Sequence, residues 1–242
     1  MTIQSLEMHP NSYVKTIGLL YLIIAISGGY SIGYVPTVIM TDGNAAATAQ
    51  ALIDNQGLFR LGVLADIVVL LAEIIITVML YVLFKPTSPT LSMIAAYARF
   101  SMIMVMAVNI LINIMPLILL NDGTLEREQW QNLTLTLFKA HQYGVYIWGI
   151  LFGLHLMVLG YLVLVSGYVH RVFGWMLLLG SAGYIIEGVT RVTATQNDVL
   201  SLLIVALLTL VTIGELSFAL RLLIKGVNST AWHGRADHVA AG

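Results

Sequence analysis

The chain has 242 residues, of which 59% are hydrophobic and only 10% are charged. Soluble domains carry about a quarter charged residues, so this composition indicates an integral membrane protein. The net charge of −1 and the scattered Lys and Arg argue against a nucleic-acid partner, and the lack of Cys excludes disulfides and thiolate metal sites.

Six apolar stretches are long enough to cross a bilayer, which takes about 20 residues for roughly 30 Å of hydrocarbon. They cover residues 16–39, 61–84, 91–120, 140–165, 172–189 and 200–224. Their length and the helical spacing of their polar residues predict an all-α bundle rather than a barrel. No internal repeat is strong enough to indicate an inverted-repeat transporter, so we expect one transmembrane domain over residues 1–242.

Two connections on the same side of the predicted bundle have the pattern of ordered structure. Asp42, Gly43 and Asn44 form a turn and cap signal before the Ala-rich residues 45–53, and residues 124–138 mix apolar with polar side chains. We predict a short interfacial helix in each, with Trp130 as an anchor at the membrane surface. These helices either cover the bundle as a lid or gate it.

The basic residues near the span ends predict the orientation in the membrane. One side has only two acids, Glu7 and Asp237, while the other has more acids than basic residues. The basic residues of the first side are Lys15, Lys85, Arg171, Lys225 and Arg235. Because cytoplasmic loops are enriched in Lys and Arg, we predict that both termini are cytoplasmic.

Ionisable groups at bilayer depth are costly and usually mark function. At a rise of 1.5 Å per residue, Arg99, Glu73, His155 and Glu215 share the middle of the predicted membrane, and the other polar groups lie nearer its outer face. The candidate cavity or ligand-binding residues are Arg60, Asp66, Glu73, Arg99, Asn109, Asn113, His141, His155, Glu187 and Glu215.

Helical spacing places these groups on the inner faces of their spans. Asp66 and Glu73 are seven residues apart, and Arg99 and Asn109 belong to one stripe of the third span. Structural ion pairs, such as Glu73 with Arg99, are an alternative explanation for individual residues. The glycines of the first, fourth and fifth spans indicate close helix contacts.

Several short motifs resemble a known family over nearly the whole chain. They are residues 44–48 (Asn-Ala-Ala-Ala-Thr), residues 58–62 (Leu-Phe-Arg-Leu-Gly) with Asp66, His141 with Tyr143 and Gly144, residues 152–155 (Phe-Gly-Leu-His) with Gly160 and Tyr161, and Ser166, Tyr168, Arg171, Gly174, Gly183 and Tyr184. This set is similar to the domain-of-unknown-function family DUF4386. The resemblance implies a six-span protein of the bacterial cytoplasmic membrane and no established reaction, substrate or cofactor.

Three hypotheses follow for function. The first is a protein that binds or translocates a small solute or proton, with an outward cavity formed by Asp66, Asn109, Asn113, His141, His155 and Glu187 over an inner charged network of Glu73, Arg99 and Glu215. The second is an intramembrane hydrolase with a metal on His155, Glu73 and Glu215, acting on a lipid-like substrate. The third is a structural or sensory subunit. We favour the first, with the lipid bilayer as the surroundings of the protein and with no cofactor. The sequence does not indicate whether the protein is a monomer or an oligomer.

Overall fold

The computed structural model describes residues 10–195 and 197–240, and the side chains of residues 11–195 and 197–235. Within these residues every regular element is helical. The elements are α1 (Pro10–Gly28), a π-helical segment (Gly29–Tyr34, the π segment), α2 (Val35–Ile39), α3 (Ala45–Asp54), α4 (Gln56–Phe84), α5 (Pro89–Asp122), α6 (Arg127–Ser166), α7 (Arg171–Val192), α8 (Asp198–Lys225) and α9 (Ser229–Ala240). Glu7 and Asp237, used above to predict orientation, lie outside the described side chains.

Six helical stretches of the described chain are long and apolar enough to cross a membrane, which confirms the predicted number of spans. The first comprises α1, the π segment and α2, and the other five are α4 to α8. These spans pack in the order α1, α4, α5, α6, α7, α8, and α8 packs back on α1. The bundle is therefore a closed ring, with an end that carries α3 (the α3 end) and an opposite end that carries Pro10 and α9 (the terminus end).

The first of the two predicted short helices is present as α3. The Asn44 side chain caps it by accepting a hydrogen bond from the Ala47 N–H at 2.9 Å, and α3 packs on α6. The prediction of a second, separate short helix was wrong, because Arg127–Ser166 is one helix of 40 residues. No Gly or Pro interrupts residues 127–143, so nothing in the sequence ends the helix between the connection and the span.

Trp130, the predicted anchor at the membrane surface, is buried inside the protein. Its ring is buried in a small core at the α3 end, with Phe59, Phe138 and Leu117 around it. Its Nε1–H donates to the Pro116 carbonyl of α5 at 3.0 Å. The indole therefore fastens the half of α6 at the α3 end to α5.

The glycines of the later spans lie where helices touch. A Cβ on Gly160 would lie 2.6 Å from the Leu178 nitrogen, and one on Gly180 would lie 2.7 Å from the Val211 nitrogen. These positions permit the close approach that the sequence indicates. In contrast, a Cβ on Gly29 would meet nothing within 4 Å, so packing does not explain this glycine of the first span.

The first span widens into the π segment just before a proline. The Val35 N–H donates to the Tyr30 carbonyl, five residues back. In this register the Ser31 carbonyl would accept from residue 36, but Pro36 has no N–H and its ring crowds the preceding turn. Such π-helical turns are rare in proteins, and those that occur are frequently at functional sites.

Candidate functional site

Arg99 of α5 lies at the centre of the ring and is fully buried. Its Nε donates to Glu73 Oε2 of α4 at 2.5 Å, and its Nη1 donates to His155 Nε2 of α6 at 2.8 Å. Nη1 also donates to the Tyr21 hydroxyl of α1 at 3.3 Å. Arg99 thus joins four of the six spans at one level, about 15 Å from the terminus end at 1.5 Å per residue.

The partners of His155 define its protonation state. Arg99 only donates hydrogen bonds, so Nε2 of His155 accepts and carries no proton. The Ala95 carbonyl only accepts, so Nδ1 of His155, 2.8 Å away, carries the proton and donates. His155 is therefore neutral, and neither ring nitrogen is available to a metal ion or a ligand.

Glu215 of α8 lies at the same level, where its charge interacts with Arg99 and Glu73. Within the described residues its carboxyl group receives no hydrogen bond and forms no ion pair within 4 Å. Glu73 and Arg99 cancel each other, and His155 is neutral. With Glu215 ionised, these four residues (the charge cluster) have a net charge of −1 that belongs to Glu215.

A cavity of about 580 Å³ lies between the spans and reaches the charge cluster (the inner cavity). Glu73 and Glu215 contribute its carboxylates, and Tyr21, Trp148, Phe152 and Tyr184 contribute aromatic rings. The remaining wall is mostly aliphatic, together with Gly28, Gly29 and Gly33. The open space beside Gly29 is therefore part of this cavity rather than a helix contact.

A second cavity of about 260 Å³ lies towards the α3 end (the outer cavity). Its polar lining comes from His141, Gln142, Tyr146 and Glu187. The two cavities share four wall residues, Ile32, Val145, Trp148 and Tyr184. The rings of Trp148 and Tyr184 meet edge to face with centroids 6.1 Å apart, so they form a partition between the two cavities.

The profile of the family described as "Domain of unknown function (DUF4386)" matches residues 16–226. The chain belongs to this family. A segment of 98 residues is also 35% identical to an uncharacterised protein of Archaeoglobus fulgidus, and this covers 38% of the chain and 56% of that protein. The chain thus matches little more than half the length of this curated relative. No solved structure matches the chain.

This DUF4386 protein distributes the predicted site residues over several places. His141 and Glu187 line the outer cavity, and Glu73 and Glu215 line the inner one. Arg99 and His155 form the wall behind Glu73. The other four candidates line neither cavity: Asp66 and Asn109 are buried, Asn113 is half-buried and Arg60 is exposed.

Asn109 and His141 join α5 to α6 by reciprocal hydrogen bonds. The Asn109 amide nitrogen donates to the His141 carbonyl at 2.9 Å, and His141 Nδ1 donates to the Asn109 carbonyl at 3.2 Å. Asn109 is thereby a structural link, whereas Nε2 of His141 remains as an acceptor on the side of the outer cavity. Gly144 leaves room for the Asn109 side chain, because a Cβ there would overlap its amide.

The metal candidates do not form a site. Among the described residues no group of three or more His, Asp or Glu side chains could hold a metal ion. His155 uses both ring nitrogens, and Glu73 is engaged by Arg99. The structure therefore does not assemble the ligand set of His155, Glu73 and Glu215 that the hydrolase hypothesis requires.

Sequence reasoning missed the aromatic and hydroxyl lining of the inner cavity. Tyr21, Tyr184 and Thr212 were not selected, because a single aromatic or hydroxyl residue in an apolar span is ordinary. A usable signal was present in the first span, where Gly28, Gly29 and Gly33 precede Pro36. Glycines ahead of a proline indicate a locally irregular helix, which in a membrane occurs where it lines a cavity.

Proposed function

We propose that this protein binds, in its inner cavity, a small molecule with an apolar body and one positive charge, and that Glu215 is the group that meets the charge. The observation that supports this most directly is the unpaired Glu215 carboxyl in the wall of a 580 Å³ cavity. An uncompensated carboxylate at membrane depth is expensive, so a cation or a proton must balance it. The cation and the proton then compete for one group.

The rest of the wall suits the apolar part of such a molecule. Trp148 stacks on Phe152 with ring centroids 4.9 Å apart, and Tyr184 meets Phe152 edge to face at 5.1 Å. Aromatic faces attract organic cations through the ring quadrupole, and more strongly where water is excluded. A concave apolar wall with few polar groups is the usual composition of a small-molecule site.

The position of the cavity favours access from the bilayer. α1 and α8 touch tightly at Gly18, where a Cβ would lie 2.6 Å from the Leu223 nitrogen. Towards the α3 end from this contact, the cavity wall includes Ile26 and Leu216, which are 75% and 39% exposed on the outside of the bundle. A molecule dissolved in lipid would therefore enter between α1 and α8.

Arg99 supports this function through its fixed partners rather than by touching the ligand. Its bonds to Glu73 and His155 hold a second carboxylate beside the cavity without adding net negative charge. One monovalent cation therefore neutralises the site, while a dication leaves an excess of positive charge. The proposal thus favours one charge per ligand.

Binding of tritiated tetraphenylphosphonium to the purified protein in nanodiscs tests the proposal. We expect saturable binding to the wild type that weakens as pH falls, because protons compete for Glu215. Triphenylphosphine oxide, which has a similar apolar body and no net charge, should not displace the label. Glu215→Gln should fold, since Glu215 has no hydrogen-bond partner to lose, and should reduce the affinity at least tenfold.

Glu128→Gln is the matched control, because Glu128 is exposed at the start of α6 and lines neither cavity. It should bind the probe as the wild type does. An absence of saturable binding, or equal binding by Glu215→Gln, would contradict the proposal and favour a structural or sensory subunit. Equal competition by the neutral analogue would show that the cavity selects apolar bulk alone.

A further inference from the structure

A second polar site lies on α4, away from both cavities. Asp66 is only 2% exposed and faces Ser31 of the π segment, which is 8% exposed. Asp66 Oδ1 and Ser31 Oγ are buried, and within the described residues neither atom has a hydrogen-bond partner at normal distance. The Ser31 hydroxyl has one proton that it can share with Asp66, and the remaining lone pairs of the two groups require a positively charged or protic partner at membrane depth.

The contacts on either side of Asp66 hold this part of α4 against the first span. A Cβ on Gly62 would lie 3.0 Å from Val35, and one on Gly28 would lie 4.0 Å from Val69. Asp66 and Ser31 lie between these two contacts, one turn from each along α4. These contacts keep the two helices close on both sides of Asp66 and Ser31, which suits a small ion better than an organic molecule.

Within the described part of the chain, no charged side chain compensates Asp66. Among the described residues it forms no salt bridge, and neither cavity includes it in its wall. It differs in this respect from Glu73, which is paired with Arg99. A lone ionised carboxylate in this position would be strongly disfavoured unless a cation accompanied it.

The backbone carbonyl of Ser31, in the π segment, is a further oxygen available to an ion. Pro36 cannot donate to the Ser31 carbonyl, so this carbonyl lacks the donor that its register calls for. Interrupted membrane helices use such carbonyls, together with carboxylates and hydroxyls, to coordinate Na⁺. Asp66 and Ser31 thus offer the three types of hard oxygen that Na⁺ prefers.

We propose that Asp66 and Ser31 form a Na⁺ site that joins α4 to the π segment. One Na⁺ would neutralise Asp66 and would be coordinated by its carboxylate, by the Ser31 hydroxyl and by the Ser31 carbonyl. A proton on Asp66 also removes the charge, but it forms a single hydrogen bond. A divalent ion would leave an excess positive charge beside the single carboxylate of Asp66, and among the described residues no group of three or more His, Asp or Glu side chains is available to hold one.

Thermal unfolding in nanodiscs at fixed pH and ionic strength tests the proposal. The melting temperature should rise with NaCl in a saturable way and should not rise with KCl or choline chloride, because a site specific to the folded state stabilises by mass action. Tracer ²²Na⁺ should bind the wild type saturably. Ser31→Ala should weaken this binding at least tenfold, and Ser31→Thr, which keeps the hydroxyl, should restore it.

Asp66→Asn should abolish both effects, with Asp122→Asn on the exposed end of α5 as the matched control. Should Asp66→Asn fail to fold, the ²²Na⁺ measurement on the wild type and the two Ser31 variants decides the matter. Absence of saturable ²²Na⁺ binding, or unchanged binding in Ser31→Ala, would overturn the proposal. A stabilisation that follows pH and ignores Na⁺ would identify a proton site instead. Glu215→Gln should keep the Na⁺ effect. The failure of the Na⁺ proposal can therefore be distinguished from the failure of the organic-cation proposal.

Discussion

Replacement of Arg99 by Met tests whether the charge cluster holds the ring together. Met keeps much of the aliphatic volume and removes the charge and all three hydrogen bonds, to Glu73, His155 and Tyr21. Within the described residues no other group donates to the Glu73 carboxylate. Removing one partner of a buried ion pair costs about 3–5 kcal/mol, so we expect Arg99→Met to lower the free energy of unfolding by that amount.

A double-mutant cycle separates this effect from lost packing. Arg99→Met combined with Glu73→Gln removes the stranded carboxylate, so it should recover about 1–3 kcal/mol relative to the sum of the single losses. Arg99→Met combined with Glu215→Gln should recover less, because Glu215 forms no ion pair within 4 Å of Arg99. Arg60→Met, at an exposed position, should change stability by no more than about 0.5 kcal/mol.

Reversible unfolding in mixed micelles of detergent and sodium dodecyl sulfate measures these values. The reasoning would be refuted by a loss below about 1 kcal/mol for Arg99→Met, since a buried pair broken on one side costs several times more. Additive losses for Arg99→Met with Glu73→Gln would refute the pairing itself, because groups in contact do not act independently.

Further predictions follow from other contacts. Gly160→Ala should destabilise the protein, because its Cβ would lie 2.6 Å from a backbone atom, whereas Gly29→Ala should have little effect on unfolding in the same micelles. The neutral state of His155, fixed on both ring nitrogens, predicts that its imidazole signals in NMR spectra do not titrate between about pH 5 and 8. The basic residues predict that a reporter fused after Gly167 is cytoplasmic and that one fused after Asp122 is not, and the opposite result would reverse the predicted orientation.

The pairing of Glu73 with Arg99 was accessible from sequence, because both lie at the same depth on apolar helices. The cost of burying two acids in one span already required a partner. The neutral state of His155 could not be derived from the sequence, because its Nδ1 donates to the Ala95 carbonyl and its Nε2 accepts from Arg99. Every residue has a carbonyl, so no side-chain pattern indicates which one a histidine will meet.

The cavities could not be derived from the sequence for a different reason. A cavity depends on where helices part, and the sequence reports mainly where they touch. Gly153, Gly160 and Gly180 mark contacts by their small size, and a Cβ at each would overlap a neighbouring helix. Gly29 and Gly33 look the same in the sequence, yet they border open space. Both glycines lie in the π segment, which borders the inner cavity.

The π segment is the physical link between the two proposed sites. Gly29 and Gly33 form part of the inner cavity wall, while Ser31, between them in sequence, faces Asp66. An ion that ties Ser31 to α4 therefore also fixes the wall that an organic cation would contact. If Na⁺ changes the affinity for the organic cation by some factor, thermodynamic linkage requires that the organic cation changes the affinity for Na⁺ by the same factor. If the affinity for the organic cation is the same with and without Na⁺, then Na⁺ does not alter the cavity wall through the π segment, and each site acts alone.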